Sequence, residues 1–504
     1  MADPLLQRIE AWRRSRPDHP ALEGIDRTGG RCVVRYGELM ARARALRPLW
    51  GAARCVALLC DTTPDCTLLD LALIEQGMAV VPIPPFFSAG QVHHLLTSAA
   101  VECVVTDRPE GLRALLDAAQ LPYEEAAHRD GLCAPLVAFR LSAPARRSAR
   151  HFDKITFTSG STGTPKGVCL RNRAILTVAR SLVQASAASP ADRHLALLPY
   201  ATLLENIGGI YVPLLAGATV IQPGAAAVGM EGSSGLDARR MGEALIRFAA
   251  TSCIMVPQML LGLVGCTEAG MRPTRLRFAA VGGAPVSPTL LERAAALGLP
   301  VYEGYGLSEA ASVVAVNTPA ANRIGSVGRP LAHVRLRIAD DGELWVAGAL
   351  MEGYLQQDGA SCDADGFWPT GDLASLDDEG FLHLHGRKKQ IYITAFGRNI
   401  APEWVERELT IEPAIAQAAL FGEGQPCNVA VIVPRDPAGV EAAVARANSR
   451  LPDYARVHTF VLADAPFTPA NGLASPTGAP LRDQIGHRYR EALDACFRQG
   501  AHHP

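Results

Sequence analysis

Residues Phe157–Val168, FTSGSTGTPKGV, gather hydroxyls and glycines ahead of a single lysine. The stretch has almost no apolar surface to bury, and its glycines admit backbone conformations that ordinary strands and helices avoid. Backbone N–H groups in such a loop can converge on an anion, with Ser159, Ser161 and Thr162 adding hydroxyl donors and Lys166 the positive charge. A polyphosphate suits that set. The loop is not a Walker A motif, because Gly163 is followed by Thr164, Pro165 and Lys166 where that motif needs Gly-Lys-Ser/Thr contiguous. By itself the string also describes a flexible surface connection. Its setting is expected to be the strand KITFT before it and a helix over RNRAILTVARSLV after it.

The elements that must position this loop read as an α/β protein. Helical spacing of apolar residues runs through PLLQRIEAWRRS, YGELMARARALRPLW and LLDLALIEQGM, while CVALLC, AVVPIP, HLALLP, TVIQP, CIMVP and LRFAAVGG are short apolar runs closed by Pro, Gly or a polar residue. That alternation predicts doubly wound parallel sheets whose strand ends face a cleft. From about residue 325 to 386 the pattern becomes alternating and turn-rich, as in VRLRIADDGELWVAG and GFLHLHGR, which predicts a small β-rich subdomain. A boundary is expected between Gly386 and Gln390, followed by an α+β unit over 391–504 whose first helix opens at APEWVEREL with Pro402 in its first turn. FTPANGLASPTGAPLRD reads as a surface loop before a last helix, RYREALDACFRQ.

Composition narrows the function class. The chain has 504 residues, 48% hydrophobic and 19% charged, which is the balance of a globular enzyme with a large core. A net charge of −2 offers no general attraction to nucleic acid or anionic membranes. The N-terminus lacks the apolar h-region of a secretory signal, and the longest apolar stretch, Leu195–Ile221, is interrupted by Pro199, Glu205, Asn206 and Pro213. Twelve cysteines are scattered without CxxC pairs, which fits a reducing compartment. A cytoplasmic protein with no transmembrane segment and no nucleic-acid partner is expected. His383 and His385 in HLHG supply two imidazoles on alternate strand positions with no matching ligand set, so no metal is assigned to them.

TSGSTGTPKG resembles the phosphate loop of the adenylate-forming superfamily, which includes acyl-CoA synthetases, nonribosomal-peptide adenylation domains and firefly luciferase. VGGAPVS resembles that family's adenine-side turn, YEGYGLSEA its Tyr-Gly-x-Thr-Glu motif, TGDLASLDDEGFLHLHGRKKQIYI its ribose-binding and hinge region, and AFGRNIAPEWVE the start of its mobile C-terminal domain. The resemblance implies ATP, Mg²⁺ and a pantetheine thiol, usually that of CoA, as reactants and cofactor for a carboxylic acid. A carboxylate is a poor electrophile; attack on the α-phosphate of ATP makes AMP its leaving group, and catalysis is alignment and charge neutralisation. Lys166 and the hydroxyls of Thr158, Ser159, Ser161 and Thr162, with Gly160 and Gly163 in the turn, are then the grip on the outer phosphates. Glu309 matches the magnesium-associated carboxylate, and Ser308 keeps a hydroxyl where threonine is commoner. Tyr305, beside Gly306, is expected against adenine, with Gly282, Gly283 and Ala284 giving close backbone approach. Asp372 is suited to accept both ribose hydroxyls, and Arg387 to bind the same sugar. Lys389 and Gln390 fall at the hinge, the latter where relatives often have aspartate, and Gly397 would line the thiol tunnel.

Two departures matter. The tail loop of the family carries a lysine that bridges the acyl carboxylate and the nucleotide; here the position is Ala479, and no lysine follows Lys389. Loss of a positioned transition-state donor costs about 3 kcal/mol. An engineered change, replacement by Arg482, and loss of the first half-reaction are the three readings, and arginine's planar fork is no free substitute for an ammonium. In LPYATLLENIGG, which resembles the segment near the acyl tunnel of long-chain synthetases, Glu205 matches a glutamate and Thr202 replaces a histidine. The expected activity is an acid–thiol ligase acting on a fatty or other apolar acid; the alternatives are loading of an acyl carrier protein and a nucleotide- or acyl-AMP-binding protein.

Overall fold

The computed structural model describes residues 3–142, 152–158, 165–231, 235–355, 362–475 and 478–500. The chain opens on the helix Pro4–Ser15, started by the Asp3 carboxylate accepting the Leu5 N–H and by a proline in its first turn. Two large sheets follow. Among the described residues, one has nine strands, in the spatial order Arg329–Pro330, Ser312–Val316, Val301–Leu307, Phe278–Val281, Ser252–Met255, Arg193–Leu195, Thr219–Gln222, Pro20–Ile25 and Arg31–Arg35. Its six inner strands are parallel, and antiparallel strands close both edges.

The second sheet has eight strands, with Cys55–Leu59 paired in parallel to both Ala79–Pro82 and Cys103–Thr106 at its centre. The central strands are buried almost throughout, which is why they read as continuous apolar runs and not as alternations. Helix Pro64–Glu75 is buried on every side, consistent with its apolar residues lying all around it.

A four-stranded antiparallel sheet formed by Arg335–Ile338, Glu343–Ala347, Trp368–Leu376 and Leu382–Arg387 comes next. Alternate residues point in and out, as the sequence pattern requires. The last part carries helix Pro402–Thr410, a three-stranded sheet of Ile415–Phe421, Asn428–Pro434 and Val457–Leu462, helix Val440–Ser449 and the closing helices Arg482–Arg488 and Arg490–Gly500. It meets the large part through Ser287, whose hydroxyl donates to Glu408 at 3.1 Å, and through Ile411, which packs in the same apolar cluster as Leu290 and Leu291. Among the described residues no helix is long and apolar enough to cross a membrane.

Candidate active site

The hydroxyl-glycine loop joins two antiparallel strands, Lys154–Thr158 and Lys166–Leu170, with Thr158 opposite Lys166. The expected strand KITFT and the expected helix over RNRAILTVARSLV are both present, the latter as Asn172–Ala185; between the loop and that helix, KGVCL is a further strand for which no element was expected. Burial decides the outcome, because Gly167 through Leu170 are all enclosed and pair back onto KITFT. Ser159, Gly160, Ser161, Thr162 and Gly163 lie outside the described residues.

Lys166 itself is exposed, with its ammonium 5.3 Å from the centroid of the Tyr354 ring, within cation–π range. The Tyr354 hydroxyl donates to Glu309 Oε1 at 2.6 Å. Burial and the adjacent Glu309 carboxylate push the Tyr354 phenol well above its ordinary range, so it stays a donor. One tyrosine thus bridges the loop lysine and the carboxylate. Nothing in the sequence singled it out; it is brought there by a two-residue strand, Gly353–Tyr354, pairing with Val168 and Cys169.

Glu309 and Ser308 sit in a tight turn, Ser308–Ala310, closed by Ala311 at φ +50° and Ser312 at φ +96°. Left-handed backbone at two residues with side chains is strained, and such strain persists where the surroundings over-determine it. The surroundings include Gly306, where an added Cβ would lie 1.6 Å from the Ser312 carbonyl oxygen. In the neighbouring turn, a Cβ on Gly282 would fall 2.8 Å from the Gly304 carbonyl oxygen, and Gly283 has φ +81°, with Ala284 exposed beside it. Both turns lie at the carboxyl ends of adjacent parallel strands, where open α/β sheets form a crevice.

Tyr305, Asp372 and Arg387 form one group. Asp372, 6% exposed, accepts from the Tyr305 hydroxyl on Oδ2, and Arg387 Nε lies 2.7 Å from its Oδ1. Asp372 and Arg387 face each other across the strand pair Trp368–Leu376 and Leu382–Arg387. Burial raises the Asp372 carboxyl above its usual value, with the guanidinium opposing that rise. Tyr305, anticipated against adenine, is committed through its hydroxyl to Asp372 and lines the adjoining cavity with its ring.

That cavity, of about 230 Å³, runs inward from Gly282, Gly283, Tyr305 and Ser308 between apolar walls that include Leu204, Val212, Ile254 and Ala280. Thr202 and Gly208 also line it. The segment Glu205–Tyr211 is a π-helical turn. Glu205 is fully buried; its carboxylate accepts the Leu198 N–H at 3.0 Å and lies 3.2 Å from His194 Nε2. Farther along the turn, Asn206 and Tyr211 bond Lys154 Nζ at 2.6 and 2.7 Å, and Lys154 is paired with Asp70 at 3.3 Å, all enclosed. Lys154 stood in the sequence only as the first residue of an apolar-hydroxyl strand.

At the expected hinge, Lys389 and Gln390 are exposed, and Lys388 spans to Asp341 and to Glu343. Gly397 has φ +71° and open space around a would-be Cβ, so here the backbone conformation, not a close neighbour, demands glycine. Ala479 forms part of a turn in which its N–H donates to Ser475 Oγ at 3.1 Å. Arg482 is gripped by Glu406 through Nε at 2.9 Å and Nη2 at 2.6 Å. His383 bonds Asp377 and His385 bonds Ser375; among the described residues no three His, Cys, Asp or Glu side chains gather to hold a metal ion.

A family model described as "AMP-binding enzyme" matches residues 9–355, and one described as "AMP-binding enzyme C-terminal domain" matches residues 389–501. The chain is 34% identical over 253 residues to the long-chain-fatty-acid–CoA ligase FadD15 of Mycobacterium bovis, a match covering 44% of this chain and 42% of that protein. It thus spans less than half the length of that relative. It is 30% identical over 438 residues to the 3-[(3aS,4S,7aS)-7a-methyl-1,5-dioxo-octahydro-1H-inden-4-yl]propanoyl:CoA ligase of Mycobacterium tuberculosis, covering 81% of this chain and 84% of that one. The fold superposes on the crystal structure of the anthranilate CoA ligase AuaEII in complex with anthranoyl-AMP with a TM-score of 0.76 at 16% identity, covering 98% of each chain.

Proposed function

The chain belongs to the AMP-binding enzyme family, and from that premise we propose that it activates a carboxylic acid with ATP to an acyl-adenylate and passes the acyl group to a pantetheine thiol, that of CoA. The observation that carries this reading is the continuity of two sites. Tyr305 belongs both to the Asp372–Arg387 group suited to a ribose and to the wall of a largely apolar cavity suited to an acyl chain. An acid lying in that cavity has its carboxylate at the Gly282–Gly283 and Gly306–Ser308 turns, where the α-phosphate of a nucleotide held by Asp372 would stand. The relatives named above, whose names describe CoA ligases of fatty and polycyclic acids, support the same class.

In the first half-reaction the acid's carboxylate oxygen attacks the α-phosphorus and the bond to the β-phosphate oxygen breaks, releasing pyrophosphate. Lys166, with the loop hydroxyls, neutralises charge on the departing phosphates, and Asp372 with Arg387 fixes the sugar and therefore the line of attack. Glu309 fits a magnesium ion: it is a carboxylate with one oxygen held by Tyr354, and Mg²⁺ bound with phosphates takes one or two protein carboxylates in place of a full cage. Bound there, the ion would withdraw charge from phosphate oxygens. In the second half-reaction the thiol replaces AMP on the acyl carbon. The C-terminal unit beyond the 387–390 hinge is proposed to turn so that the Gly397 loop faces the cleft.

The test is hydroxylamine trapping of activated acids, with pyrophosphate release, over a panel of carboxylic acids on this chain and on Ala479→Lys. Hydroxamate formation with an apolar acid by either protein supports ligase chemistry, and an increase of about a hundredfold in the lysine variant places the deficit at position 479. If neither forms hydroxamate while ATP binds, the chain is a nucleotide-binding protein and the ligase reading fails.

A further inference from the structure

The cavity is bounded at its inner end by an ion pair, Arg277 with Asp192. Three adjacent parallel strands, Arg193–Leu195, Ser252–Met255 and Phe278–Val281, form its floor, and cavity-lining residues occur at both ends of them. Gly282 and Gly283 stand at the carboxyl ends; Asp192, Ser252 and Arg277 stand at the amino ends. Gly283 lies six positions beyond Arg277, so the cavity extends about 20 Å along the sheet.

The amino end is crossed by residues 186–192, of which Ser186, Ala188 and Asp192 line the cavity. Arg277 fastens this segment: Nε donates to Asp192 Oδ1 at 2.6 Å, Nη1 to the Ser186 carbonyl at 2.8 Å and Nη2 to the Ala187 carbonyl at 3.2 Å. Asp192 is buried and also accepts from the Ser189 N–H and the Thr251 hydroxyl. The Arg277 side chain is 35% exposed, so the guanidinium that lines this end of the cavity also meets water on the side away from the nucleotide site.

We propose that the Arg277–Asp192 pair, with the segment it pins, sets the length limit of the acid, and that the acid is an apolar monocarboxylate whose far end abuts this pair. A second carboxylate at that end is disfavoured. Four of the five Arg277 N–H groups are already engaged, and its charge is offset by a bidentate partner, so a buried anion would meet neither a spare cation nor enough donors. The inference rests on the acid-activation reading above.

The test avoids turnover, which Ala479 affects. A ladder of straight-chain N-acylsulfamoyl adenosines, with one ω-carboxylated member, is titrated calorimetrically into the full chain alongside AMP. Affinity should rise roughly fourfold per added methylene and then fall once the chain reaches the cap. Arg277→Ala should carry the rise on by several carbons, with shorter members within about threefold of the original protein, whereas Ala280→Leu, which fills the middle of the floor, should end the rise earlier. The ω-carboxylated member should bind about tenfold or more weakly than its alkyl counterpart. An unchanged limit in a folded Arg277→Ala protein that still binds the short members overturns the proposal. If that variant does not fold, an unchanged limit in Ala280→Leu overturns it. AMP binding without any acyl-dependent gain overturns the acid-activation reading itself.

Discussion

Replacing Asp372 by asparagine keeps size and shape while removing the charge proposed to hold the nucleotide's ribose. Asp372 is 6% exposed, and each of its oxygens already has one partner, Tyr305 on Oδ2 and Arg387 on Oδ1. Each carboxylate oxygen still has a further acceptor site, and those are the sites proposed for the two ribose hydroxyls. A hydrogen bond to a charged acceptor contributes about 1.5–3 kcal/mol against about 0.5–1.5 for a neutral one, so the two bonds together weaken by about 2–3 kcal/mol. That corresponds to a loss of roughly 30- to 150-fold in ATP or AMP affinity. The Arg387 side chain is 48% exposed, so its lost partner costs little in stability, about 1 kcal/mol at most. Tyr305→Phe is the control: the ring remains and one Asp372 acceptor is released, so affinity should stay within about threefold. Isothermal titration with AMP, and a thermal melt of each variant, make the measurement. The sign with pH is also fixed. Because burial raises the Asp372 carboxyl, AMP affinity should decline as pH falls through that raised value, and the asparagine variant should lack the decline. A folded asparagine variant that binds AMP within twofold of the original protein would refute the assignment.

Two further outcomes bear on the framework that holds the site. Lys154→Met leaves the enclosed Asp70 carboxylate without its cation, which should destabilise the protein by about 3–5 kcal/mol in urea titration; adding Asp70→Asn should recover much of that, whereas additive losses would contradict the pairing. Glu303, 7% exposed and facing Arg407 of the C-terminal unit, has its carboxyl pushed up to about 7 by burial, with Arg407 opposing. The folded state therefore holds the proton more tightly than the unfolded state, and stability contributed below pH 4.5 is lost as pH rises through 7. Unfolding titrations at pH 5 and pH 8 should show Glu303→Gln gaining about 2.5 kcal/mol relative to the original chain between the two, and a constant difference would count against it.

The elements that sequence patterning located are those whose signal is local. Asp3 followed by Pro4 starts a helix over PLLQRIEAWRRS, and short apolar runs such as Phe278–Val281 are enclosed parallel strands because both sheet faces are covered. The failures are non-local. KGVCL, for which no element was expected, is a strand because its enclosed face completes the sheet against KITFT, a pairing that its own residues do not announce. Tyr354 reaches Glu309 across 45 residues through a two-residue strand, too short to leave a periodic trace. Lys154 meets Asp70 across 84 residues, and neither residue's neighbours predict a buried pair. The left-handed pair Ala311 and Ser312 carries no glycine to announce it; the glycine that permits the turn is Gly306, on the opposite strand.

Arg482 illustrates how packing settles a question that residue type leaves open. Charge alone makes it a substitute for the lysine expected three positions earlier. The guanidinium, however, is bidentate to Glu406, whose Oε1 also accepts the Leu420 N–H at 2.8 Å. This triangle ties helix Arg482–Arg488 to helix Pro402–Thr410 and to strand Ile415–Phe421, all within the C-terminal unit. The Arg482 side chain is only 19% exposed, and Glu406 holds its charge in place. Swinging it to a nucleotide would leave Glu406 enclosed and unpaired, at a cost of about 3–5 kcal/mol, as large as the transition-state stabilisation it would supply. A brace of that strength is poorly suited to a mobile catalytic role. In the proposed reaction the positive charge is assigned to Lys166 or to a lysine restored at position 479, which is why Ala479→Lys, and not a change at Arg482, is the informative gain-of-function variant.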